Sequence, residues 1–204
     1  MKPPRIAVVD YGVGNLMSIR KALEKVGAQP FITSRVEDAL EGDAVVFPGV
    51  GAYRPAVEFL TPRLPQLKKA VERGLPLLGI CLGMELFFSE SLEGGWSKGL
   101  GFLRGKVVPL PQGVKVPHMG WNTVKTVKAH GFLEGINDGD YFYFVHSYYV
   151  GEAEEAAVLA TTEYGTVFPS VVVSGSLYGT QFHPEKSGAQ GLRLLKNFVR
   201  SIGE

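Results

Sequence analysis

Cysteine is nearly absent from this chain, since Cys81 is the only one among its 204 residues. A single cysteine excludes an internal disulfide framework and indicates a reducing compartment. An excess of charge is also missing, because 21 Lys and Arg face 20 Asp and Glu for a formal net charge of +1. Nothing in that balance favours a nucleic-acid partner.

Long hydrophobic runs are missing as well. The best candidate, residues 75–88, is interrupted by Glu85, and no stretch reaches the roughly 18 uncharged apolar residues that a membrane helix needs. The apolar run at 6–9 is too short for a signal peptide. We therefore expect a cytoplasmic protein with no membrane contact, folded as one domain over residues 1–204.

The most informative stretch that is present is 75–88, L-P-L-L-G-I-C-L-G-M-E-L-F-F. Its first half is typical of a buried strand, and residues 82–88 carry apolar side chains at helical spacing. Between them, Gly79 and Gly83 frame Cys81 as G-x-C-x-G, which matches a nucleophile elbow with cysteine in place of serine. A thiol at a helix start is expected to have a lowered pKa. The alternative is a buried structural cysteine.

Strands and helices alternate in the first half of the chain. Short apolar runs at 6–9, 31–33, 44–47 and directly before Cys81 alternate with helical patterns at 16–26, 36–40 and 64–73. This alternation predicts an α/β fold, an open and mostly parallel sheet of the flavodoxin-like kind with helices on both faces.

The second half changes to β patterns, which predict antiparallel strands that extend or cap the parallel sheet. A last helix is predicted at 189–202. The predicted β segments are 107–108, 122–127, 141–150, 157–161, 171–173 and 176–182.

Two glycine-rich loops follow predicted strands. Residues 12–14, G-V-G, suggest a dinucleotide site, but the third glycine of that fingerprint and the acidic residue after the second strand are missing. A tight turn is the alternative. Residues 48–51, P-G-V-G, leave their strand at the same edge as Cys81, so their backbone N–H groups and that of Leu82 could hold an oxyanion. An ordinary loop fits that segment equally well.

Four histidines are candidates for the base that a catalytic thiol needs. We expect His130, in a polar turn, at the surface, and His146, in an aromatic strand, as a hydrogen-bonded core residue. His118 lies in a predicted loop, and no two of the histidines and Cys81 stand at metal-ligand spacing.

His183 is the strongest candidate for the base, because Pro184 holds it extended. Residues two apart in an extended chain point to the same side, so Glu185 can bond one imidazole nitrogen and leave the other for the thiol. Cys81, His183 and Glu185 then form a nucleophile, a base and an orienting group.

The motifs G-I-C-L-G-M from residue 79, P-G-V-G-A-Y from 48 and G-T-Q-F-H-P-E-K-S from 179 together resemble the class I, triad-type glutamine amidotransferases. Three further stretches narrow the resemblance to the glutaminase subunits of imidazole glycerol phosphate synthase. They are D-Y-G-V-G-N-L from 10, P-H-M-G-W-N from 117 and Y-F-V-H-S-Y from 143. The likeness spans the chain, which implies a single glutamine amidotransferase type 1 domain.

The resemblance implies that Cys81 attacks the side-chain amide of L-glutamine, His183 transfers protons and Glu185 orients His183. Ammonia leaves, and water hydrolyses the thioester to glutamate without a cofactor or metal. The oxyanion would be held by backbone N–H groups of Val50 or Gly51 and of Leu82, and the substrate by Gly49, Glu85, His146, Ser147 and Tyr148. Glu85 stands where the class usually has glutamine.

The resemblance also implies a heterodimer, in which ammonia passes to a (β/α)8-barrel cyclase subunit that makes imidazole glycerol phosphate in histidine biosynthesis. The residues expected at that interface are Asn15, Pro117, His118, Met119, Trp121 and Asn122. Alternatives are a class I glutaminase that serves anthranilate, guanylate or pyridoxal phosphate synthesis, a cysteine peptidase or related hydrolase on a similar fold, and a nucleotide-binding module.

Overall fold

A computed structural model describes residues 2–12, 15–49 and 51–203 of the chain. Within these ranges the strands are β1 Arg5–Val9, β2 Gln29–Thr33, β3 Ala44–Phe47, β4 Leu77–Ile80, β5 Phe88–Ser91, β6 Ser97–Lys98, β7 Leu103–Pro109, β8 His118–Thr123, β9 Lys125–Thr126, β10 Tyr141–His146, β11 Tyr148–Ala153, β12 Val158–Glu163, β13 Val167–Ser174 and β14 Leu177–Thr180. The α-helices are α1 Leu16–Lys25, α2 Val36–Ala39, α3 Tyr53–Leu60, α4 Leu64–Glu72, α5 Leu82–Glu85 and α6 Gly188–Arg200.

An eight-stranded sheet in the order β2-β1-β3-β4-β14-β13-β12-β9 forms the centre of the fold. Its first five strands are parallel, and the last three continue it in antiparallel pairs. The expected open, mostly parallel sheet with an antiparallel extension is therefore confirmed.

Two hydrophobic clusters cover the two faces of this sheet. Ile6 and Val8 of β1 contribute to one cluster, and Ala7 and Val9 to the other, as the two-residue period of a strand requires. Buried residues of α1 and α6 join the first cluster, and those of α2, α3 and α4 join the second. A strand buried on both faces needs apolar residues throughout, which explains the short continuous runs in the sequence.

The position of β14 differs from the prediction, which placed segment 176–182 among the antiparallel strands. In the structure β14 pairs in parallel with β4, with Leu177 beside Leu77 and Thr180 beside Ile80. The tight turn between β13 and β14 reverses the chain, so that β14 is antiparallel to β13 and parallel to β4. Both β4 and β14 are completely buried.

Other local predictions were wrong in their boundaries. The predicted helix at 82–88 ends at Glu85, and the predicted strand at 141–150 divides into β10 and β11. These two strands belong to different small sheets, β10-β8 and β11-β7-β5-β6. Helix α3 was not predicted, and its Pro55 lies in the first turn, where proline is tolerated. No helix in the described ranges combines the length and apolarity needed to cross a bilayer.

Candidate active site

Cys81 lies between β4 and α5 with φ 52° and ψ −108°. No other non-glycine residue in the described ranges has a positive φ. Such a conformation is costly and persists only where surrounding structure enforces it. The neighbouring strand supplies part of that support, since the Cys81 backbone N–H donates to the Thr180 carbonyl oxygen at 2.6 Å.

Three glycines allow backbone segments to meet around this turn. A Cβ atom on Gly79 would lie 2.5 Å from the carbonyl carbon of Gly83, and one on Gly83 would lie 2.0 Å from the Phe47 carbonyl oxygen. A Cβ on Gly49 would lie 1.6 Å from the carbonyl oxygen of Ile80. The G-x-C-x-G spacing therefore reflects direct backbone contact between the turn, β3 and the loop that follows β3.

The thiol of Cys81 is buried and has two hydrogen-bond contacts. It donates to the Val145 carbonyl oxygen at 3.7 Å and accepts from Nε2 of Gln181 at 3.8 Å. Burial raises the pKa of this thiol well above its ordinary value, and the nearby Glu85 carboxyl raises it further. The N–H of Leu82 opposes both effects.

The prediction of a lowered thiol pKa is therefore wrong. It relied on the dipole of a helix, but α5 is a single turn of four residues. Desolvation of the thiolate raises the pKa of the thiol by more than the dipole of so short a helix can lower it.

His183 and Glu185 are paired directly. Nδ1 of His183 lies 2.8 Å from Oε1 of Glu185, and both side chains are buried. Because a carboxylate accepts, the geometry assigns the proton to Nδ1. Nε2 of His183 is buried and has no hydrogen-bond partner within the described part of the chain. It is therefore available as a base, while the thiol is bonded to Val145 instead.

The cysteine and the histidine leave adjacent strands at the same edge of the sheet. Cys81 directly follows β4, and His183 follows β14 by three residues. Gly49 lies between the two residues, because it borders both the Cys81 cavity and a small gap lined by His183 and Glu185. Parallel pairing thus places the nucleophile and the base at neighbouring positions of one edge.

The cavity beside Cys81 has a volume of about 280 Å³. It is lined by every residue predicted to contact the substrate. Two of the residues predicted to hold the oxyanion, Gly51 and Leu82, also line it. Val50 lies outside the described residues, as do Val13 and Gly14 of the first glycine loop. The full lining is Gly49, Gly51, Cys81, Leu82, Glu85, Glu93, Pro117, Val145, His146, Ser147 and Tyr148.

Sequence reasoning missed Val145 and Glu93 in this lining. Val145 is next to the predicted His146 in β10, and its carbonyl oxygen accepts from the thiol of Cys81. Glu93 follows β5, and its carboxylate accepts from the backbone N–H of Tyr53 at 3.0 Å. No sequence signal marked either role.

Glu85 is a buried acid at the end of α5. Burial raises its pKa to about 8, with a further contribution from Glu93, while a hydrogen bond from Gln181 lowers it. At neutral pH the side chain is therefore mostly a neutral carboxylic acid, which can donate as well as accept. This property brings it close to the glutamine that the resemblance leads one to expect.

The six residues expected at a partner interface differ in their exposure to solvent. Met119 and Trp121 are exposed, by 62% and 55%, whereas His118 is buried and bonded to His146 at 2.9 Å. Asn15 caps α1 by accepting from the backbone N–H of Ser18. Of the remaining two, Pro117 borders the cavity and Asn122 is half-buried.

Two of the histidines agree with their predicted surroundings, whereas the prediction of a loop at His118 was wrong, because this residue begins β8. His146 is a hydrogen-bonded core residue, and His130 is exposed. Within the described ranges no cluster of three or more histidine, cysteine and acidic residues is placed to hold a metal ion.

Comparison with known proteins connects this geometry to a family. Residues 7–202 match the family model described as glutamine amidotransferase class-I. The chain belongs to that family. Class-I glutamine amidotransferases hydrolyse glutamine, and the G-x-C-x-G and F-H-P-E motifs by which the sequence resembles them stand at the elbow and at the end of β14.

Curated relatives place this amidotransferase within a narrower family. It is 48% identical over 199 residues to imidazole glycerol phosphate synthase subunit HisH of Caldanaerobacter subterraneus subsp. tengcongensis, covering 97% of this chain and 98% of the relative. It is 49% identical over 199 residues to the HisH subunit of Archaeoglobus fulgidus, with the same coverage. This amidotransferase is therefore a member of the HisH family.

Solved structures support the fold of the amidotransferase. A structure described as a glutamine amidotransferase superposes with a TM-score of 0.75 at 21% identity, covering 96% of this chain and 98% of the other. The PurLQS structure from Thermotoga maritima gives 0.75 at 20% identity, covering 98% and 99%.

Proposed function

We propose that this chain is the glutaminase subunit of an imidazole glycerol phosphate synthase and works in histidine biosynthesis. It hydrolyses L-glutamine to glutamate and ammonia through a cysteinyl thioester, and the ammonia passes to a (β/α)8-barrel cyclase partner. The observation that carries the proposal is the strained Cys81 turn, which borders a cavity, while the His183–Glu185 pair follows the neighbouring strand β14. The near full-length similarity to HisH subunits supports the choice of synthase.

The first half of the reaction forms the thioester. Nε2 of His183 takes the thiol proton, and Sγ of Cys81 attacks the side-chain amide carbon of glutamine. The oxyanion accepts hydrogen bonds from the N–H of Leu82 and from the loop at Val50 and Gly51. His183 then returns the proton to the leaving nitrogen, the C–N bond breaks and ammonia departs.

The second half hydrolyses the thioester. His183 takes a proton from water, whose oxygen attacks the thioester carbon, and the C–S bond breaks. The thiolate of Cys81 regains a proton, and glutamate leaves. Throughout both halves the Glu185 carboxylate stabilises the protonated imidazole and fixes its orientation.

The described conformation is a resting state. Burial raises the pKa of the Cys81 thiol, and the thiol donates to the Val145 carbonyl oxygen rather than to His183, so it must turn from Val145 towards Nε2 of His183 before attack. This resting arrangement fits a glutaminase that is nearly idle until its partner binds. The exposed Met119 and Trp121 provide an apolar surface for that partner, and depletion of charge is typical of the centre of an interface.

The test measures glutamate and ammonia released from glutamine by the isolated chain, and again with a histidine-pathway cyclase and its nucleotide substrate. We expect low activity alone, strong stimulation in the complex and no activity for Cys81→Ala in either case. Hydrolysis that survives Cys81→Ala would exclude this nucleophile. Stimulation by another synthase but not by the cyclase would favour an anthranilate, guanylate or pyridoxal phosphate role, and turnover of peptides instead of glutamine would indicate a peptidase.

A further inference from the structure

Two buried histidines are bonded to each other beneath the β8–β10 ribbon. Nδ1 of His118 lies 2.9 Å from Nε2 of His146, and Nδ1 of His146 lies 2.7 Å from the Tyr148 carbonyl oxygen. At the other end, Nδ2 of Asn122 lies 3.3 Å from Nε2 of His118. The three contacts form one chain from Asn122 to the wall of the Cys81 cavity.

The direction of every hydrogen bond in this chain is determined. A carbonyl oxygen only accepts, so His146 must carry a proton on Nδ1, and in the neutral ring Nε2 then presents a lone pair. His118 must then donate from Nδ1 and accept on Nε2. Asn122 can supply that donor, because its Oδ1 accepts from the Thr123 backbone N–H at 2.8 Å, which fixes the amide orientation.

Both imidazoles are neutral in this arrangement, since each uses one nitrogen as donor and the other as acceptor. Their surroundings agree, because the His118 ring stacks on Tyr164 and Phe144 with centroids 3.9 and 4.9 Å away. Burial lowers the pKa of His118 to about 4 and that of His146 to about 3. The row of hydrogen bonds from Asn122 to Tyr148 therefore keeps a single arrangement of protons at neutral pH.

The ribbon has two different faces. His118 faces His146 in the strand register, and Met119 faces Val145. His118 and His146 point into the core, while Met119 and Trp121 point outward. The same ribbon thus presents an exposed apolar face on one side and ends at the cavity wall, where the Val145 carbonyl oxygen accepts from the thiol.

We propose that His118, which does not border the cavity, is a positioning residue for glutamine. By donating to His146, whose own donor holds Tyr148, it fixes the backbone of residues 145–148 that forms one wall beside Cys81. The identity of the substrate rests on the proposed function.

The test compares alkylation of Cys81 by two reagents, a chloroketone analogue of glutamine and iodoacetamide, in the full-length chain bound to the cyclase and its nucleotide substrate. The first needs the binding wall, whereas the second needs only a reactive thiol. We expect His118→Phe, which keeps the ring and removes both hydrogen bonds, to slow the chloroketone by about tenfold or more and to leave iodoacetamide unchanged. His118→Asn, which keeps a donor near the Nδ1 position, should recover most of the rate.

His130→Phe is the matched control, because it makes the same substitution at an exposed histidine outside the chain of bonds. Equal slowing of both reagents by His118→Phe, or slowing of neither, would overturn the proposal. A wild-type chain that the glutamine analogue does not label faster than a matched chloroketone lacking the amino-acid end would contradict the proposed substrate instead.

A measurement on the wild-type chain does not depend on any variant folding. The ¹⁵N shifts of the imidazole nitrogens distinguish the two neutral tautomers of a histidine. We expect His118 and His146 both as Nδ1–H tautomers at pH 7, with protons that exchange slowly. An Nε2–H tautomer or a charged ring at either position would break the chain and overturn the proposal.

Discussion

Gln181 donates a hydrogen bond from Nε2 to Oε1 of Glu85 at 2.8 Å and so joins the segment after β14 to the end of α5. The same Nε2 lies 3.8 Å from the thiol of Cys81. The amide of Gln181 thus contacts both the nucleophile and the acid beside it. Because Glu85 has a pKa of about 8, this contact joins an amide to a carboxylic acid rather than to a carboxylate at neutral pH.

Replacing Glu85 with glutamine should change how stability depends on pH. The native pKa of about 8 lies above the ordinary value of 4.5, so the native state holds a proton that the unfolded chain has released between these values. The contribution of this bound proton to the free energy of unfolding is fully present below pH 4.5 and is lost as pH rises through 8. Relative to Glu85→Gln, the wild-type free energy of unfolding should fall over this window by an amount on the order of a few kcal/mol.

The measurement is urea unfolding of both proteins at several pH values across that window, with exposed Glu134→Gln as the control. The wild-type free energy of unfolding should fall relative to that of Glu85→Gln as pH rises, while that of the control follows wild type. Parallel curves for all three proteins would show that Glu85 is ionised in the native state at neutral pH.

Gly83→Ala tests the close contact between α5 and β3. A Cβ at this position would meet the Phe47 carbonyl oxygen at 2.0 Å, so the turn must move away from the strand. We expect a loss of at least about 2 kcal/mol in the free energy of unfolding, together with loss of glutaminase activity. Gly131→Ala is the control, because nothing lies within 4 Å of its added Cβ. Equal stability of the two variants would contradict the observed packing.

Glu185→Gln tests the orienting role of the carboxylate. The substitution keeps a similar shape next to Nδ1 of His183 but removes the charge that stabilises a protonated imidazole. In the activated complex we expect kcat to fall by about 10²-fold or more, while KM for glutamine and the thermal midpoint change little. Exposed Glu134→Gln provides a matched control. A rise in KM with unchanged kcat would assign Glu185 to substrate binding instead.

Local patterns explain why much of the site could be predicted from the sequence. Two glycines flanking Cys81 mark a turn that needs close backbone contact, and a histidine held extended by Pro184 places Glu185 on its own side. Each inference depends on residues at most a few positions apart. The alternation of strands and helices predicted the parallel sheet for the same reason.

Features that depend on distant contacts could not be predicted. The pKa of Cys81 depends on burial by many segments, and the sequence showed only the adjacent turn. The bond between His118 and His146 depends on the register of β8 against β10, two strands whose pairing no local pattern revealed. The parallel position of β14 is of the same kind, since Leu177 pairs with Leu77 across half of the chain.

The pairing of β14 with β4 has a consequence for a chain that is still being synthesised. Domains fold from the N-terminus as they emerge from the ribosome, and Cys81 emerges well before His183. A nascent or prematurely terminated polypeptide that ends before β14 contains the thiol but lacks the imidazole and its carboxylate. Such a fragment therefore holds one of the three proposed catalytic groups and lacks the strand whose pairing with β4 places the other two at the same edge of the sheet.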